Sequence, residues 1–553
     1  MRFSKLLVVP VAAVGLLLPA CGSSGDIDLG CPSLGGESDL NAKPRDEVRD
    51  GGNLRLMMSA FPENFNNLNA DGNLGETTSM LRWMMPRAFV TDAKGALTID
   101  KNFFTDVQLT STDPQIVTYT LNPAAVWSDG SPITWEDVKS QAESLSGVNP
   151  DFKIAGKDGF DRVEKIERGV DDKQVVFTFS RPYAEWQGQF AGPLYPKSVT
   201  ADPAAFNDSL RDNIPVTAGP FKITSIDKAQ NRITLGRNPL WWGDAPKLDT
   251  VTYSVLDDAA RVQGLQNNEI DAVGLGTIED VKVVYDNEGI SIRCAPGLSF
   301  SHVTFNGAEG SLLADPKLRV AVAKGIDRKE IADAILNQLV DDPQPLNNHI
   351  YLNGQLGYQD NSGVVAYDPD QANKELDELG WKLEGDVRVK DGRRLELRNV
   401  MYKSQSWDQI SAIMLDNLQQ IGVKLIVEPT AGQGLFKDVI NPGRFDLANF
   451  AWAGNAFPLA GLPQIYALKP EVEGNYGRIG SDEINALIEQ TISELDQEKS
   501  REMANQIDKL VFAEGFSLPL LQSTGIVGVR SNLANYGAAG LASLDYTSIG
   551  FEK

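Results

Sequence analysis

Short runs rich in β-branched and aromatic residues at 117–121, 175–179, 221–226, 231–235, 250–255 and 290–293 predict strands. A further stretch, Ser299-Phe300-Ser301-His302-Val303-Thr304-Phe305-Asn306, alternates like a half-buried strand and carries His302 within it. Between such runs the apolar period lengthens to that of a helix, and each helix has a start signal. Thr134 stands before Trp135-Glu136-Asp137, a hydroxyl with a carboxylate three residues on, which predicts a capped helix to about Leu145. Asp315-Pro316 and Asp368-Pro369 open two more with proline at the first helical position. The second places Ala372, Leu376 and Leu379 on one face and stops at Gly380. Ser481-Asp482-Glu483 opens a fourth, with Ile484, Leu487, Ile488, Ile492 and Leu495 on one face. Strands and helices alternate irregularly and without an internal repeat, so the fold class is α/β.

The N-terminus has a different pattern. Arg2 and Lys5 precede an unbroken apolar run over residues 6–18, which ends at Leu18-Pro19-Ala20-Cys21. Thirteen residues fall short of the roughly 20 that a membrane-spanning helix needs, and the arrangement reads as a secretory leader over residues 1–20. The segment resembles a bacterial lipobox, in which the thiol of Cys21 is acylated and becomes the new N-terminus. Gly22-Ser23-Ser24-Gly25 and the polar residues after it predict a tether over residues 21–52. The other two cysteines, Cys31 and Cys294, are bound for an oxidising compartment; sequence leaves open whether they form a disulfide or stay as separate thiols.

At 553 residues the chain has room for two or three domains. Its 51 Lys and Arg against 75 Asp and Glu give a net charge of −24, and loss of Arg2 and Lys5 with the leader makes the exported chain more acidic by two charges. Such a surface repels phosphate backbones and anionic membranes, which excludes nucleic acid as a partner and leaves the lipid anchor as the sole membrane contact.

Catalytic patterns are missing. Neither His302 nor His349 begins an H-E-x-x-H helix, no G-x-S-x-G elbow or C-x-x-C occurs, and Gly156-Lys157 continues with Asp158 where a phosphate-binding loop needs Ser or Thr. His302 reads as a hydrogen-bonded structural histidine. Trp241 and Trp242, between Pro239 and Gly243, read as a packed corner, with Asn238 tying down the adjacent turn through its own backbone.

Five segments, in order, resemble one family. They are Trp127-Ser128-Asp129-Gly130-Ser131-Pro132-Ile133-Thr134-Trp135-Glu136-Asp137-Val138; Pro215 to Phe221 with Arg237-Asn238-Pro239-Leu240-Trp241-Trp242-Gly243 and Lys247-Leu248-Asp249; Arg261 to Asp271, with Asn268 where the family has Gly; Leu318 to Arg328 with Tyr367-Asp368-Pro369; and Phe445-Asp446-Leu447-Ala448-Asn449-Phe450-Ala451-Trp452. From about Gly52 to the C-terminus the chain is similar to extracytoplasmic solute-binding proteins of the peptide, dipeptide and nickel class (solute-binding family 5), the capture components of ABC importers.

The resemblance implies a two-lobed, periplasmic-binding-protein-like α/β fold of class II type with an extra subdomain. Residues 53–300 with 512–553 would form lobe I, with the subdomain near 81–207, and residues 301–511 lobe II. The ligand cleft would lie between lobes that close by hinge motion. It implies a monomer on the extracytoplasmic face of the cell membrane, with a small solute or peptide as ligand, ABC permease subunits as partners, no cofactor, no metal and no enzymatic step. Carried over position by position, ligand contact is expected from Phe61, Asn64 and Asn67 after the first strand, from Trp83, from Ser404 and Trp407, from Trp452, Asn455 and Phe457, and from Asn475 and Tyr476.

One departure bears on specificity. Peptide-binding relatives place an Asp three residues past the Trp at 452, where it receives the peptide ammonium; here Asn455 stands there. An amide accepts a hydrogen bond but supplies no charge. Either another carboxylate serves, the ligand lacks a free amino terminus, or binding is weak and broad. An oligopeptide or dipeptide is the leading ligand class. Nickel or haem held by histidines is disfavoured with two His in the chain. A lipoprotein of the same fold that regulates envelope lipoglycan assembly, and an exported hydrolase, are the alternatives from other classes; no motif supports the hydrolase.

Overall fold

The computed structural model describes residues 29–31, 37–431, 434–470, 472 and 474–553. The expected leader over residues 1–20 and the expected lipidation site, Cys21, lie outside the described residues.

Local signals set the helices. Thr134 and Asp137 form the reciprocal capping box of helix Trp135–Leu145, with the Thr134 N–H donating to Asp137 Oδ2 at 2.8 Å. A cap of this kind is worth about 1 kcal/mol. Asp315, Asp368 and Ser481 accept from the first-turn amides of Pro316–Lys324, Pro369–Glu378 and Asp482–Ser493. Gly380 follows the third of these four helices with φ of 87°, a conformation that side chains disfavour.

Strands Asn53–Met58, Thr250–Val255, Arg232–Arg237 and Phe221–Asp227 make a four-stranded sheet in that order, the first pair parallel and the others antiparallel. An antiparallel sheet of Phe104–Thr112, Gln115–Leu121, Gln174–Phe179 and Val163–Arg168 packs with it in one hydrophobic core, which includes Leu54, Trp83, Tyr119, Phe177, Phe221 and Val251. A second core, around Val303, Phe305, Ala321, Leu397, Met414, Ile488 and Phe512, is built on the six-stranded sheet Ala272–Gly274, Ser517–Arg530, Ile290–Phe305, Leu447–Ala453, Glu396–Tyr402 and Lys424–Thr430. This second core reaches Leu521, further along the chain than the expected boundary at 511. Trp241 and Trp242 pack as a corner, rings 4.8 Å apart and both against Phe103, and Asn238 Oδ1 accepts the Leu240 N–H.

Two long antiparallel strands join the cores. Ile290–Phe305 and Ser517–Arg530 pair along most of their length, with Val529 in the first core and Val303, Leu518 and Leu520 in the second. Residues 290–293 and 299–306, which read as separate strands, are one strand here. The register slips between Pro296 and Phe300, where Gly297 lies against Ser523 so closely that an added Cβ would sit 2.6 Å from its carbonyl oxygen. A bulge absorbs residues that otherwise break a strand.

The N-terminal segment is more structured than a tether. Cys31 is buried among Val262, Leu265 and Val281 and joined to Cys294 by a disulfide. In residues 37–52, read as tether, Asp39 and Val48 bridge to Ala538 and Glu552. Asn41 Nδ2 donates to Leu533 O and Glu552, and Val48 is fully buried. Few large apolar side chains are needed where hydrogen bonds to the C-terminal segment hold the backbone.

Inside the second core, His349 Nδ1 lies 2.7 Å from Asp508 Oδ1 and its Nε2 lies 3.0 Å from the Ser517 carbonyl. Asn361 Nδ2 donates to the other Asp508 oxygen at 2.7 Å. The carboxylate thus ties the segment around 349 to helix Gln497–Ala513. Removing one member of a buried charged network leaves the rest without partners, so Asp508→Ala is expected to cost about 3–5 kcal/mol, read as a lower midpoint in urea unfolding.

Candidate functional site

Two adjoining cavities, of about 300 and 290 Å³, lie between the cores, and Ala456 and Phe457 line both. The first is walled by Lys94–Leu97 and Glu185 from one side and by Tyr351, Gln355 and Arg501 from the other. The second is walled by Arg82, Arg87, Phe89, Asp158 and Tyr183 and closed by Asn455 and Phe457.

The lobes touch around these cavities. Glu185 accepts the N–H groups of Leu459 at 3.0 Å and Ala460 at 2.7 Å, in the first turn of a short helix of the second lobe. Arg162 Nη2 reaches both oxygens of Glu489 at 2.9 and 2.8 Å, a bifurcated charge-assisted contact. The Ala184 N–H donates to Ile492 O at 2.8 Å, and the Leu356 N–H to Lys94 O at 3.1 Å. Phe457 lies against Gly188, where an added Cβ would stand 3.1 Å from the ring.

The expected site residues divide into groups. Asn455 and Phe457 line the cavity. Asn455 Oδ1 accepts the Phe457 N–H at 2.6 Å, and its carbonyl accepts from Gln355 Nε2 at 2.9 Å. Trp452 and Tyr476 brace the strand that leads into this loop. Their rings are 5.9 Å apart and 9° from parallel, and His302 stacks 6.0 Å from Trp452 at 7°. Burial, and then nearby His349, pull His302 down to about 3, so the ring is neutral; its Nε2 pairs with Thr304 Oγ1 at 3.0 Å.

The remaining expected residues line neither cavity. Asn64 spends its amide on Asn207 O and the Asn66 N–H, and Asn475 on the Ala467 and Ile479 carbonyls. Asn67 bonds Tyr195 and Thr78, and Phe61 packs on the first core. Trp83 is buried against Phe221 and Tyr546. Ser404 caps helix Gln405–Gln420, and Trp407 packs on the second core. Sequence reasoning missed Arg82, Asp158, Tyr183 and Glu185. Only Asp158 left a local trace, in the polar Gly156-Lys157-Asp158-Gly159 turn.

Among the described residues no cluster of three or more His, Cys, Asp or Glu could hold a metal, and no helix is long and apolar enough to cross a membrane. What the site offers is a cavity with one apolar wall, several amides and a few charges, between two bodies that meet across it.

A two-lobed binding protein with a ligand cleft between its lobes is the class that this geometry defines. Residues 102–470 match the family described as bacterial extracellular solute-binding proteins, family 5, middle, and the chain belongs to that family. The oligopeptide-binding protein OppA of Mycobacterium tuberculosis is 52% identical over 560 residues, covering 100% of this chain and 94% of that protein. The periplasmic EDTA-binding protein EppA superposes with a TM-score of 0.84 at 24% identity, covering 94% of this chain and 98% of that one. The oligopeptide-binding protein AppA from Bacillus subtilis, solved with a nonapeptide, superposes with a TM-score of 0.74 at 19% identity, over 92% of this chain and 100% of that one.

The joint carries a pH dependence of definite sign. Glu185 is enclosed by both lobes, and burial pushes its carboxyl up from 4.5 to about 8, with the Leu459 and Ala460 amides pulling the other way and Asp158 adding to the rise. Lys94, Arg501 and Glu494 face the same cavity. A carboxyl that holds its proton more tightly in the clasped form stabilises that form fully below about 4.5, and the advantage is lost as pH rises through about 8. Small-angle scattering of the ligand-free protein is expected to give a more compact particle at acid than at alkaline pH across this window, and Glu185→Gln is expected to flatten the dependence.

Proposed function

We propose that this chain is the substrate-binding subunit of an ABC importer that captures a short peptide in the interlobe cavity and presents its closed form to a membrane permease. It works as a monomer on the extracytoplasmic face of the membrane, held there by an acylated Cys21, and it makes and breaks no bond. The observation that carries this reading is the pair of adjoining cavities between two clasped lobes, about 300 and 290 Å³, whose joint volume falls well within the range of about 300–1,000 Å³ typical of small-molecule sites. Closure around a ligand excludes water and makes its contacts with both lobes at once, which is how binding energy shifts the population toward the closed form. Support for a peptide comes from full-length likeness to a protein named for oligopeptide binding, and from a cavity that offers both an aromatic wall and opposite charges. An acidic body with a net charge of −24 also favours encounter with cationic and zwitterionic solutes over phosphates.

Native mass spectrometry of the exported protein is expected to display a ladder of co-purified peptide masses; a single lipid or glycan mass would overturn the assignment. Phe457→Ala is expected to weaken peptide binding about tenfold, as loss of an aromatic anchor does, with the melting temperature nearly unchanged.

A further inference from the structure

Lys94 and Arg501 line one cavity from opposite lobes. Lys94 sits on the turn between the paired strands Phe89–Thr91 and Leu97–Ile99, and Phe89 belongs to the first core. Asp92 Oδ1 accepts the N–H groups of Lys94 at 2.9 Å and Ala96 at 2.8 Å, so the turn is tied through its own backbone. Arg501 lies on helix Gln497–Ala513, whose Ala504, Ile507 and Val511 are part of the second core.

Arg501 is an exception in this chain. Every other described arginine that is buried or half-buried gives its guanidinium to a carboxylate or a backbone carbonyl, as Arg162 does to Glu489 and Arg328 to Leu346 O at 3.0 Å. Arg501 is half-buried, yet among the described residues its guanidinium makes no hydrogen bond, ion pair or ring contact. With 75 Asp and Glu against 51 Lys and Arg, the chain has no shortage of acids to pair with it.

The side chain is nevertheless held in place. Gly357, at φ of 103°, lies so close that an added Cβ would stand 2.9 Å from both Arg501 Cδ and the Tyr351 ring. Asn505 Nδ2 donates to Gly357 O and to Arg501 O, both at 2.9 Å, and so ties that loop to the helix. Tyr351, 3% exposed and lining the same cavity, also has a hydroxyl without a partner among the described residues. The acids of this cavity do not answer the cation. Glu185 accepts the Leu459 and Ala460 amides, and burial holds its carboxyl up at about 8. Glu494 Oε1 accepts the Asp496 N–H at 2.8 Å. Neither makes an ion pair with Arg501 or with Lys94, which is exposed and whose ammonium is likewise unpaired among the described residues.

Two like charges brought to one cavity from opposite lobes oppose the closing of the lobes, and an anion between them reverses the sign of that interaction. The planar fork of a guanidinium matches a carboxylate in particular. Resting on the peptide reading above, we propose that Arg501 receives a carboxylate of the ligand and that Lys94, from the other lobe, shares it. The carboxylate then joins the lobes, and a peptide that carries one is held by both while its amide is not.

Calorimetric titration of alanine peptides of two to five residues, each as free acid and as C-terminal amide, tests this in wild type, Arg501→Gln and Lys94→Gln. A second pair of amidated peptides, ending in Glu or in Gln, separates a side-chain carboxylate from a terminal one. Wild type is expected to bind the acid at least about tenfold more tightly than its neutral match in one of the two pairs, and that pair gives the source of the carboxylate. Arg501→Gln is expected to abolish the preference by weakening the acid alone, with a melting temperature nearly unchanged because the guanidinium makes no internal bond. Lys94→Gln is expected to reduce it about two- to fivefold, as loss of an exposed charge does; an undiminished preference there overturns the sharing between lobes. If peptides bind but wild type shows no preference in either pair, or if Arg501→Gln keeps the preference or weakens acid and neutral forms alike, Arg501 is not the carboxylate site and the peptide reading stands. If no peptide binds wild type, the peptide reading itself falls, and the assignment with it.

Discussion

Everything the molecule does across its cleft depends on one pair of antiparallel strands, Ile290–Phe305 and Ser517–Arg530, the second of which places Val529 in the first core and Leu518 and Leu520 in the second. A paired ribbon resists shear between its strands through its ladder, yet at Pro296 and Gly297 the ladder is interrupted. There the Gln522 Nε2 donates to Gly297 O at 2.7 Å in place of a regular strand bond, and Ser523 Oγ takes the Ser299 N–H at 3.3 Å. The crossing is continuous in covalent and hydrogen-bonded terms but locally soft, the combination that lets two bodies rotate without separating.

Charge at the joint is arranged asymmetrically. On one side Arg162 Nη2 sits between both oxygens of Glu489, with Ser493 Oγ taking another Arg162 N–H at 3.1 Å. On the other, Glu185 meets backbone amides instead of a cation. The first contact joins charge to charge, and the second is the one whose carboxyl burial has pushed up. Between them lies a cavity in which Asp158 is left without a partner.

The helices were legible in the sequence because their determinants are local. Thr134 with Asp137, Asp315 and Asp368 each followed by Pro, and Ser481 act within three residues of themselves. Residues 290–305 were split in two by Pro296 and Gly297, because the bulge that accommodates them is set by Ser523 of another strand, more than two hundred residues away. The same contrast holds at the site. Asn455 and Phe457, expected from the family resemblance, line the cavity, while Arg82, Asp158 and Glu185 come to it only through tertiary packing. Asn64 and Asn475 misled because an amide that binds backbone and an amide that binds a ligand look alike in sequence. Residues 37–52, polar and glycine-containing, resemble a free linker but are held by hydrogen bonds to the C-terminal segment, for which their composition carries no signal.

The disulfide between Cys31 and Cys294 has a mechanical consequence. Cys294 lies on the crossing strand, three residues before Gly297 and the break in its ladder, and Cys31 is buried in a small core of its own beside that strand. A load applied through the chain before Cys31 is therefore delivered close to the pivot, with almost no lever arm on either lobe. Torque that would pry the cleft open or press it shut does not develop, and the two bodies can swing with the N-terminal segment held beside the pivot.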